Sequence, residues 1–476
     1  MISTRTVTDP AEIERWVPAC SELARTTQAS LCSQYLDVPL LWWKSFANGS
    51  GQDTYTVRGA NFLGTRSWLE DMFVILAFAG DELLGALPLA SQSVKVRGRA
   101  VPRRVVTLPG DFQLIPYMDL TVAAGRRREV IGALLDTAID GLGDDDLLML
   151  QYLPETSPHL EEIAAHLRAK APAGVRYTVA TTGRRGGVWP WNLEIIVSCL
   201  RQLRARVTTA DLRGHLDGLL EALGSCPSTS LILPQTRRTF EEKIRDALDC
   251  VSADVGPGDA TRVLQSHLAD APDYYGRISL PKDEDTYRAS LGKDTRRYFQ
   301  RYGQAFREAG GSFEKIASER VTERDVDDYL ALHDSRWRGD SAVLKNERLY
   351  RFHRDLCARL AAKGFLSLFF AVYRGARIAV HSCIDICGRR EGYMIGRDPG
   401  FEETRAGRLL YFETIRDAIA SGYRTYEMGR VWFAYKASFT RESALTRNVF
   451  VSKAGTAPDL NGIFGGYECM LAVSEA

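Results

Sequence analysis

The stretch Phe365-Leu-Ser-Leu-Phe-Phe-Ala-Val-Tyr373, Arg374-Gly375, Arg377-Ile-Ala-Val-His-Ser-Cys-Ile-Asp-Ile386 carries two strand-length apolar runs on either side of a two-residue turn. A second turn is expected at Gly388-Arg389-Arg390, followed by a short strand, Glu391-Gly-Tyr-Met-Ile-Gly396. Thr404-Arg-Ala-Gly-Arg-Leu-Leu410 then opens a helix, and Arg424-Thr-Tyr-Glu-Met-Gly429 returns to strand. The order is three strands, a helix whose start suits a phosphate, and a strand. Runs of this length bounded by Gly-bearing turns are the sequence mark of a meander.

Working outward, the preceding chain is helical. One long helix is expected from Asp285 to about Ala309, with Gly292 and Gly303 inside it and Gly310-Gly311 stopping it. Val326–Trp337 and Asn346–Lys363 give two more helices, the second capped by Gly364. Near the N-terminus, helices are expected within residues 11–35 and at Leu40–Phe46, and Met72–Ala79 with Leu83–Leu89 reads as a hairpin. Arg127–Leu142 has helical period, Asp146–Leu153 is a buried strand, and a helix follows from about Pro158 to Lys170. Both halves thus give hairpin, strand, helix, strand, with Gly125-Arg126 and Gly407-Arg408 at corresponding helix starts. The pattern reads as a structural duplication. Between the halves, amphipathic segments at Asp211–Leu223, Phe240–Cys250 and Thr261–Leu268 form a helical insert or connector. The expected division is 1–185 for an N-terminal lobe, 186–275 for the insert and 276–476 for a C-terminal lobe.

Composition narrows the function. The chain has 476 residues and a formal net charge of +1, so no global field points to nucleic acid or a membrane surface. Nine scattered cysteines lack zinc-ligand spacing, which predicts free thiols, no metal and a cytoplasmic setting. The longest apolar stretch, Met72–Ala90, is broken by Asp81 and Glu82. Walker A, Gly-x-Gly-x-x-Gly, Gly-x-Ser-x-Gly and His-Glu-x-x-His motifs are missing from the sequence.

Four groups of residues could carry chemistry. At Thr404–Leu410, glycine permits close backbone approach, helix-start N–H groups hold phosphate oxygens, and Arg405 and Arg408 add charged donors. On the strand Arg377–Ile386, alternation puts His381, Cys383 and Asp385 on one face and Ile378, Val380, Ser382, Ile384 and Ile386 on the other. His381 and Asp385 then form a base with its orienter, or His381 is a satisfied histidine beneath a helix. Tyr426, Glu427, Tyr435 and Lys436 could supply a proton donor, a base and a cation for phosphate or carboxylate. Their structural reading is core packing, with Glu427 paired to an arginine. Lys293, Arg297 and Arg301 form an i, i+4, i+8 stripe, either a solvated helix face or a contact for phosphate, in a cofactor or a tRNA.

These residues resemble a known family. Tyr287, Leu291, Arg296 and Arg301, then Leu332-His333, Arg336-Trp337, Gly375, Ile378-Ala379, Gly407, Leu409-Leu410, Gly422, Gly429 and Tyr435-Lys436, are spaced as in the CelD-like acetyltransferases of the GNAT superfamily, relatives of the Fem-type aminoacyltransferases. The likeness covers about residues 280–455, and Trp42-Trp43 with Leu87-Pro88-Leu89 resembles the usual N-terminal lobe. It implies an α+β fold of tandem GNAT-like lobes, each a mixed, mainly antiparallel sheet flanked by helices. It also implies an acyltransferase that moves an acyl group from acyl-CoA (acetyl-CoA or longer) to an amine, less readily a hydroxyl, by direct attack on the thioester. Arg405, Ala406, Gly407, Arg408 and Leu409 would hold the donor, with Tyr435 and Lys436 beside them. His381 or Glu427 would act as base, with Tyr426 and Asp385 in support. Arg336, Trp337, Arg297 and Arg301 would contact substrate, a small-molecule, sugar or peptide amine. The alternatives are a Fem-like enzyme using aminoacyl-tRNA and a degenerate, non-catalytic binding module. The turn Thr404-Arg-Ala-Gly-Arg is poorer in glycine than the usual GNAT phosphate loop.

Overall fold

The computed structural model describes residues 1–47, 67–94, 103–110, 115, 117–184, 193–226, 234–255, 259–269, 271–336, 344, 347–429, 434–453 and 468–472. The first lobe runs β1 (Ser3–Val7), α1 (Pro10–Thr26), α2 (Asp37–Phe46), β2 (Ser67–Ala79), β3 (Glu82–Val94), β4 (Arg103–Thr107), β5 (Thr121–Val122), α3 (Arg127–Asp140), β6 (Leu147–Pro154), α4 (Leu160–Lys170) and β7 (Arg176–Arg184). The insert follows as α5 (Leu193–Arg206), α6 (Ala210–Ser225), α7 (Pro234–Val255) and α8 (Asp259–Leu268). β8 (Ala271–Pro272) then pairs with β7 in the first sheet, and the second lobe runs β9 (Tyr275–Ser279), α9 (Glu284–Ser290), α10 (Lys293–Glu308), β10 (Gly311–Ala317), α11 (Glu323–Arg336), α12 (Glu347–Ala362), β11 (Leu366–Tyr373), β12 (Ala376–Ile386), β13 (Arg389–Arg397), α13 (Ala406–Ala420), β14 (Thr425–Glu427) and β15 (Glu442–Ala444). Two more strands close the chain, β16 (Thr446–Ser452) and β17 (Glu468–Ala472).

The lobes repeat one plan. Strand, two helices, three antiparallel strands, a helix, then a strand parallel to the third of those: this describes both β10 to β14 and, with the short β5 set aside, β1 to β6. The parallel pairs are β4 with β6 and β13 with β14. The fold is α+β, two mainly antiparallel sheets flanked by helices. The insert has its own core, with Leu200, Leu216, Ile244 and Leu264 buried together.

The sheets are not closed by their own halves. β16, expected in the C-terminal lobe, lies in the first sheet between β6 and β7, and β17 pairs with β7. The tail of the 276–476 span therefore completes the N-terminal sheet. Strand pairing over such separations leaves no local periodicity to read.

Local chemistry explains the hairpins and their departures from expectation. Arg374 and Gly375 both have positive φ, as do Cys387 and Gly388, the requirement of two-residue turns whose twist matches the flanking strands. The second turn is therefore Cys387-Gly388. Arg389 and Arg390 open β13 rather than forming the turn, which sets the pairs Ile386↔Arg389 and Asp385↔Arg390. A bulge at the β11–β12 pairing turns Ile378 to the side of Ala379 and Cys383, away from Val380 and Ile384, where simple alternation had put it. The single helix expected from Asp285 is two helices. Asp283 caps α9 by accepting from the Thr286 N–H at 2.7 Å, and Gly292 begins α10 after a break at Leu291.

Candidate functional site

The second sheet opens at one place. β13 and β14 pair in parallel only from Arg389↔Thr425 to Glu391↔Glu427. Beyond that, β13 runs on to Arg397 with β12 as its partner, and the Met428 N–H turns away to Gly276 O at 2.8 Å. A bulge in β13 places Tyr393 as an extra residue against the Ser382–Cys383 step, which bends the strand where the two part. Among the described residues, the result is a fork whose facing edges have no strand partner. On the β13 arm, the Ile395 carbonyl accepts from Arg336 Nη1 at 3.1 Å and lies 3.2 Å from His333 Nδ1. On the other arm, Tyr411 OH donates to Met428 O at 3.2 Å and Lys436 Nζ donates to Gly429 O at 2.7 Å.

The corresponding fork of the first lobe is filled. Gln151 accepts from the Leu108 N–H at 3.1 Å and donates to Leu108 O at 2.5 Å, stapling β6 to the chain leaving β4. β16 then lines the far side of β6, and the Tyr152 N–H donates to Asn448 Oδ1 at 2.9 Å. Among the described residues, the second lobe combines an open fork with a helix start beside it.

That helix start is α13. Pro399–Thr404 forms a short tight helix, and Arg405, at φ 57°, turns the chain into Ala406. Helix N–H groups there lack intrahelical acceptors. Among the described residues, Thr404 Oγ1 serves the Ala406 N–H and no acceptor serves that of Gly407. A Cβ at Gly407 would meet only Arg397 Cδ, at 3.7 Å, so the backbone faces open space beside the end of β13. Arg405 is exposed, whereas the Arg408 guanidinium lies 4.2 Å from the centre of the Tyr298 ring on α10. Ala406 and Leu409 are buried and offer the site only backbone. Arg297 and Arg301 stand exposed on α10, in the stripe with Lys293, and α10 packs on α13 through Phe299 and Phe412.

His381 and Tyr426 point from the sheet toward α13. Thr414 Oγ1 lies 3.3 Å from His381 Nδ1 and 2.8 Å from Tyr426 OH. His381 is buried, and burial first, then the charges of Arg390 and Arg336, push its pKa down to about 3. Such a pKa leaves the imidazole neutral near pH 7, beneath α13 and beside Thr414. Asp385 does not orient it. Its carboxylate receives Arg390 Nε at 2.6 Å and Arg390 Nη2 at 2.8 Å, with Ser367 Oγ donating at 2.7 Å. Arg390, wholly buried, also reaches Asp417 at 2.8 Å. Burial drives the Tyr426 phenol far above its ordinary range. Lys436 is buried too, its ammonium pushed down to about 7, and Tyr435 packs on Tyr411. Arg336 is half-buried at the fork, and Trp337 lies outside the described residues.

Glu427 faces the other way, toward the first lobe, and beside it stands a residue that reading from sequence passed over, Glu391. The two are register partners at the last paired step before the fork. Both are buried. Arg389 and Arg277 approach Glu427 only to 3.7 Å, and Arg389 approaches Glu391 to 3.4 Å. Among the described residues, Glu391 Oε1 and Glu427 Oε2 have no hydrogen-bond partner. Burial raises both carboxyl pKa values; that of Glu391 reaches about 7, with Arg389 opposing the rise. Arg389 is held elsewhere, donating to Ser30 O of the first lobe at 3.1 Å and lying over the Tyr117 ring at 4.9 Å. Once the turn is fixed at Cys387-Gly388, alternation puts Arg389 and Glu391 on one face, and that was the available signal.

Residues 293–437 match the family model for the acetyltransferase (GNAT) domain. The match covers α10 to the segment after β14, the part that builds the fork and the α13 start. This part of the second lobe is thus similar to GNAT acetyltransferase domains. No curated protein matches the chain. Among solved structures, a C-terminal domain (DUF2156) of a putative lysylphosphatidylglycerol synthetase from Agrobacterium fabrum is similar at 8% identity and TM-score 0.41, over 93% of this chain and 92% of that one. A tandem GNAT protein from the clavulanic acid biosynthesis pathway is similar at 14% identity and TM-score 0.34, over 96% and 100%. FemX is similar at 12% identity and TM-score 0.29, over 88% and 95%.

Among the described residues no helix is long and apolar enough to cross a membrane, and no three metal-ligating side chains cluster. A cleft of about 420 Å³, bordered by Glu22, Thr26, Thr27 and Glu82, lies in the first lobe, remote from the fork.

Proposed function

We propose that the chain transfers an acyl group from acyl-CoA to an amine, less readily a hydroxyl, by direct attack on the thioester. The observation that carries this reading is the fork itself: unpaired strand edges, a helix start at one end and a buried carboxylate pair at the other. The first turn of α13, with Arg405 and Arg408, would bind the donor's phosphates through its N–H groups and dipole. The fork's backbone would hold the thioester arm by strand-like hydrogen bonds, and an N–H there would steady the developing oxyanion.

Glu391 takes the part of base. Attack requires a neutral amine, and a carboxylate tuned near neutrality matches that task. Glu427 is its partner at the same step, while His381, Asp385 and Tyr426 hold α13 to the sheet. This departs from the sequence reading, which offered His381 or Glu427. The spacing of Tyr287, Arg336 and Gly407 further supports the CelD-like branch, and the free cysteines suit a cytoplasmic setting. The test is thermal denaturation with acetyl-CoA and longer acyl-CoA thioesters. A melting temperature that rises with concentration is expected; no rise at saturating amounts of any of them overturns the reading.

One observation favours a second reading. The exposed stripe Lys293, Arg297 and Arg301 runs along α10, against which α13 packs. A Fem-like enzyme taking its acyl group from aminoacyl-tRNA would use that stripe. Loss of activity after ribonuclease treatment, with steep salt dependence, would select it.

A further inference from the structure

Polar bonds from the second sheet and its fork reach α13 at Tyr411, Thr414 and Asp417, down one side of the helix. Arg390 of β13 makes the strongest of these ties. Its Nε and Nη2 donate to Asp385 on β12 at 2.6 and 2.8 Å. Its Nη1 donates to Thr414 O at 3.0 Å and to Asp417 Oδ2 at 2.8 Å. Lys315 of β10 donates to that same Asp417 oxygen at 2.7 Å. The Arg390 guanidinium also lies over the rings of Phe369 at 5.0 Å and Tyr423 at 4.8 Å, which hold its plane. Burial pushes the Asp417 carboxyl up, but Lys315 and Arg390 more than offset it and hold it below its ordinary range. Both bonds to Asp417 are therefore charge-assisted, the stronger kind.

The first turn of α13 has no such tie. Its N-cap residue, Arg405, makes no side-chain bond to it, and Ala406 and Leu409 hold it by packing. Asp417 follows Gly407 by ten residues, about 15 Å along the helix. A tilt of about 5° at the anchor thus moves the helix start by about 1 Å, a displacement that matters wherever bound groups must be held in a fixed geometry.

We infer that Asp417, clasped by Arg390 and Lys315, is a positioning residue for the acyl donor: it sets where the first turn of α13 meets the donor's phosphates. The inference rests on the reading of that turn as the phosphate site, and it adds a determinant of donor affinity that lies outside the site itself. It also divides the work along β13. Side chains alternate across a strand, so Arg390 fixes the donor helix on one face while Glu391, the next residue, stands on the other as the proposed base. Because the anchor acts through the helix start, its loss weakens the hold on phosphate and leaves the hold on the thioester arm. A donor without phosphates is then insensitive to it.

The experiment is calorimetric binding on the full chain at pH 8, with acetyl-CoA and with S-acetylpantetheine, a thioester on the same arm that carries no phosphate. Asp417→Asn is expected to weaken acetyl-CoA binding about tenfold, the effect of one charged hydrogen bond, and to leave S-acetylpantetheine binding unchanged. Asp417→Glu keeps the charge and is expected to recover most of that affinity. Lys315→Met breaks a partly exposed pair and is expected to weaken acetyl-CoA binding about threefold; it carries the test should Asp417→Asn fail to fold. The ligand-free melting temperature of each variant shows whether it folds. Unchanged acetyl-CoA binding in the folded variants, an equal loss for both thioesters, or no recovery in Asp417→Glu would overturn the inference while the donor reading stands. A parent chain that binds neither thioester overturns the donor reading, and the inference with it.

Discussion

Replacing Glu391 by glutamine preserves shape and removes a carboxyl group whose pKa burial pushes up to about 7. Two effects of opposite sign follow. Loss of a positioned general base lowers the rate by roughly 10²–10⁴, or about 3–5 kcal/mol of barrier. The rate of the native protein should rise with pH through about 7 as Glu391 gives up its proton, and that limb should vanish in Glu391→Gln. Stability moves the other way. A carboxyl raised from 4.5 to about 7 binds its proton more tightly folded than unfolded. Its contribution is therefore fullest below 4.5 and is lost as pH rises through 7. At pH 8 the ionised group costs the folded state about 3 kcal/mol by the free energy of that displacement. Glutamine carries no such cost, and Arg389 keeps Glu427 as a partner. The variant should thus be less active yet more stable than the parent at pH 8, with the stability gap narrowing toward pH 5. Activity would be followed by release of coenzyme A thiol from acetyl-CoA with n-butylamine, and stability by urea denaturation across pH. Retained activity with an unchanged pH profile, or a variant less stable than the parent at pH 8, would refute the reasoning.

Four other outcomes are expected. His381→Asn should leave the pH–rate profile unmoved near neutrality, because a histidine held at about 3 is already neutral there; a lost limb would make it the base after all. Gly392→Ala should destabilise by about 1–3 kcal/mol, since its Cβ would come within 2.8 Å of His381 Nε2; calorimetry on Gly392→Ala combined with His381→Ala should show part of that restored. Arg390→Met should cost roughly 3–5 kcal/mol in urea denaturation by stranding the buried Asp385 carboxylate. Gln151→Ala should cost about 1–3 kcal/mol for the Leu108 N–H and C=O it leaves without a partner, with donor stabilisation by acyl-CoA unchanged.

The division between what was legible and what was not follows the range of the interactions. The strand order after Phe365, the helix from Ala406 and most of the insert are set by turn residues and periodicity within a few positions, and they could be read. The α5 helix was missed. The partners of His381 and Asp385 could not be read, because they are Arg390 across the hairpin and Thr414 on a helix packed later. Putting Arg389 and Arg390 in the turn hid both the partner of Asp385 and the face that Arg389 shares with Glu391. Glu391 itself is an unremarkable residue in a short strand until Glu427 on β14 and Tyr117 in the first lobe gather around it and Arg389 of its own strand. A carboxylate's character is set by what buries it, and burial here comes from the other lobe.

The placement of β16 between β6 and β7 bears on how the protein is made. β6 is complete at Pro154, but its neighbour begins only at Thr446. At ordinary synthesis rates that strand emerges ~290 residues later, after roughly 15–60 s. Until then the first lobe waits with an open edge at β6, and the insert and second lobe can fold ahead of it. The half of the molecule translated first is thus the half finished last, and a chain stopped before Thr446 leaves the ribosome with that edge unpaired.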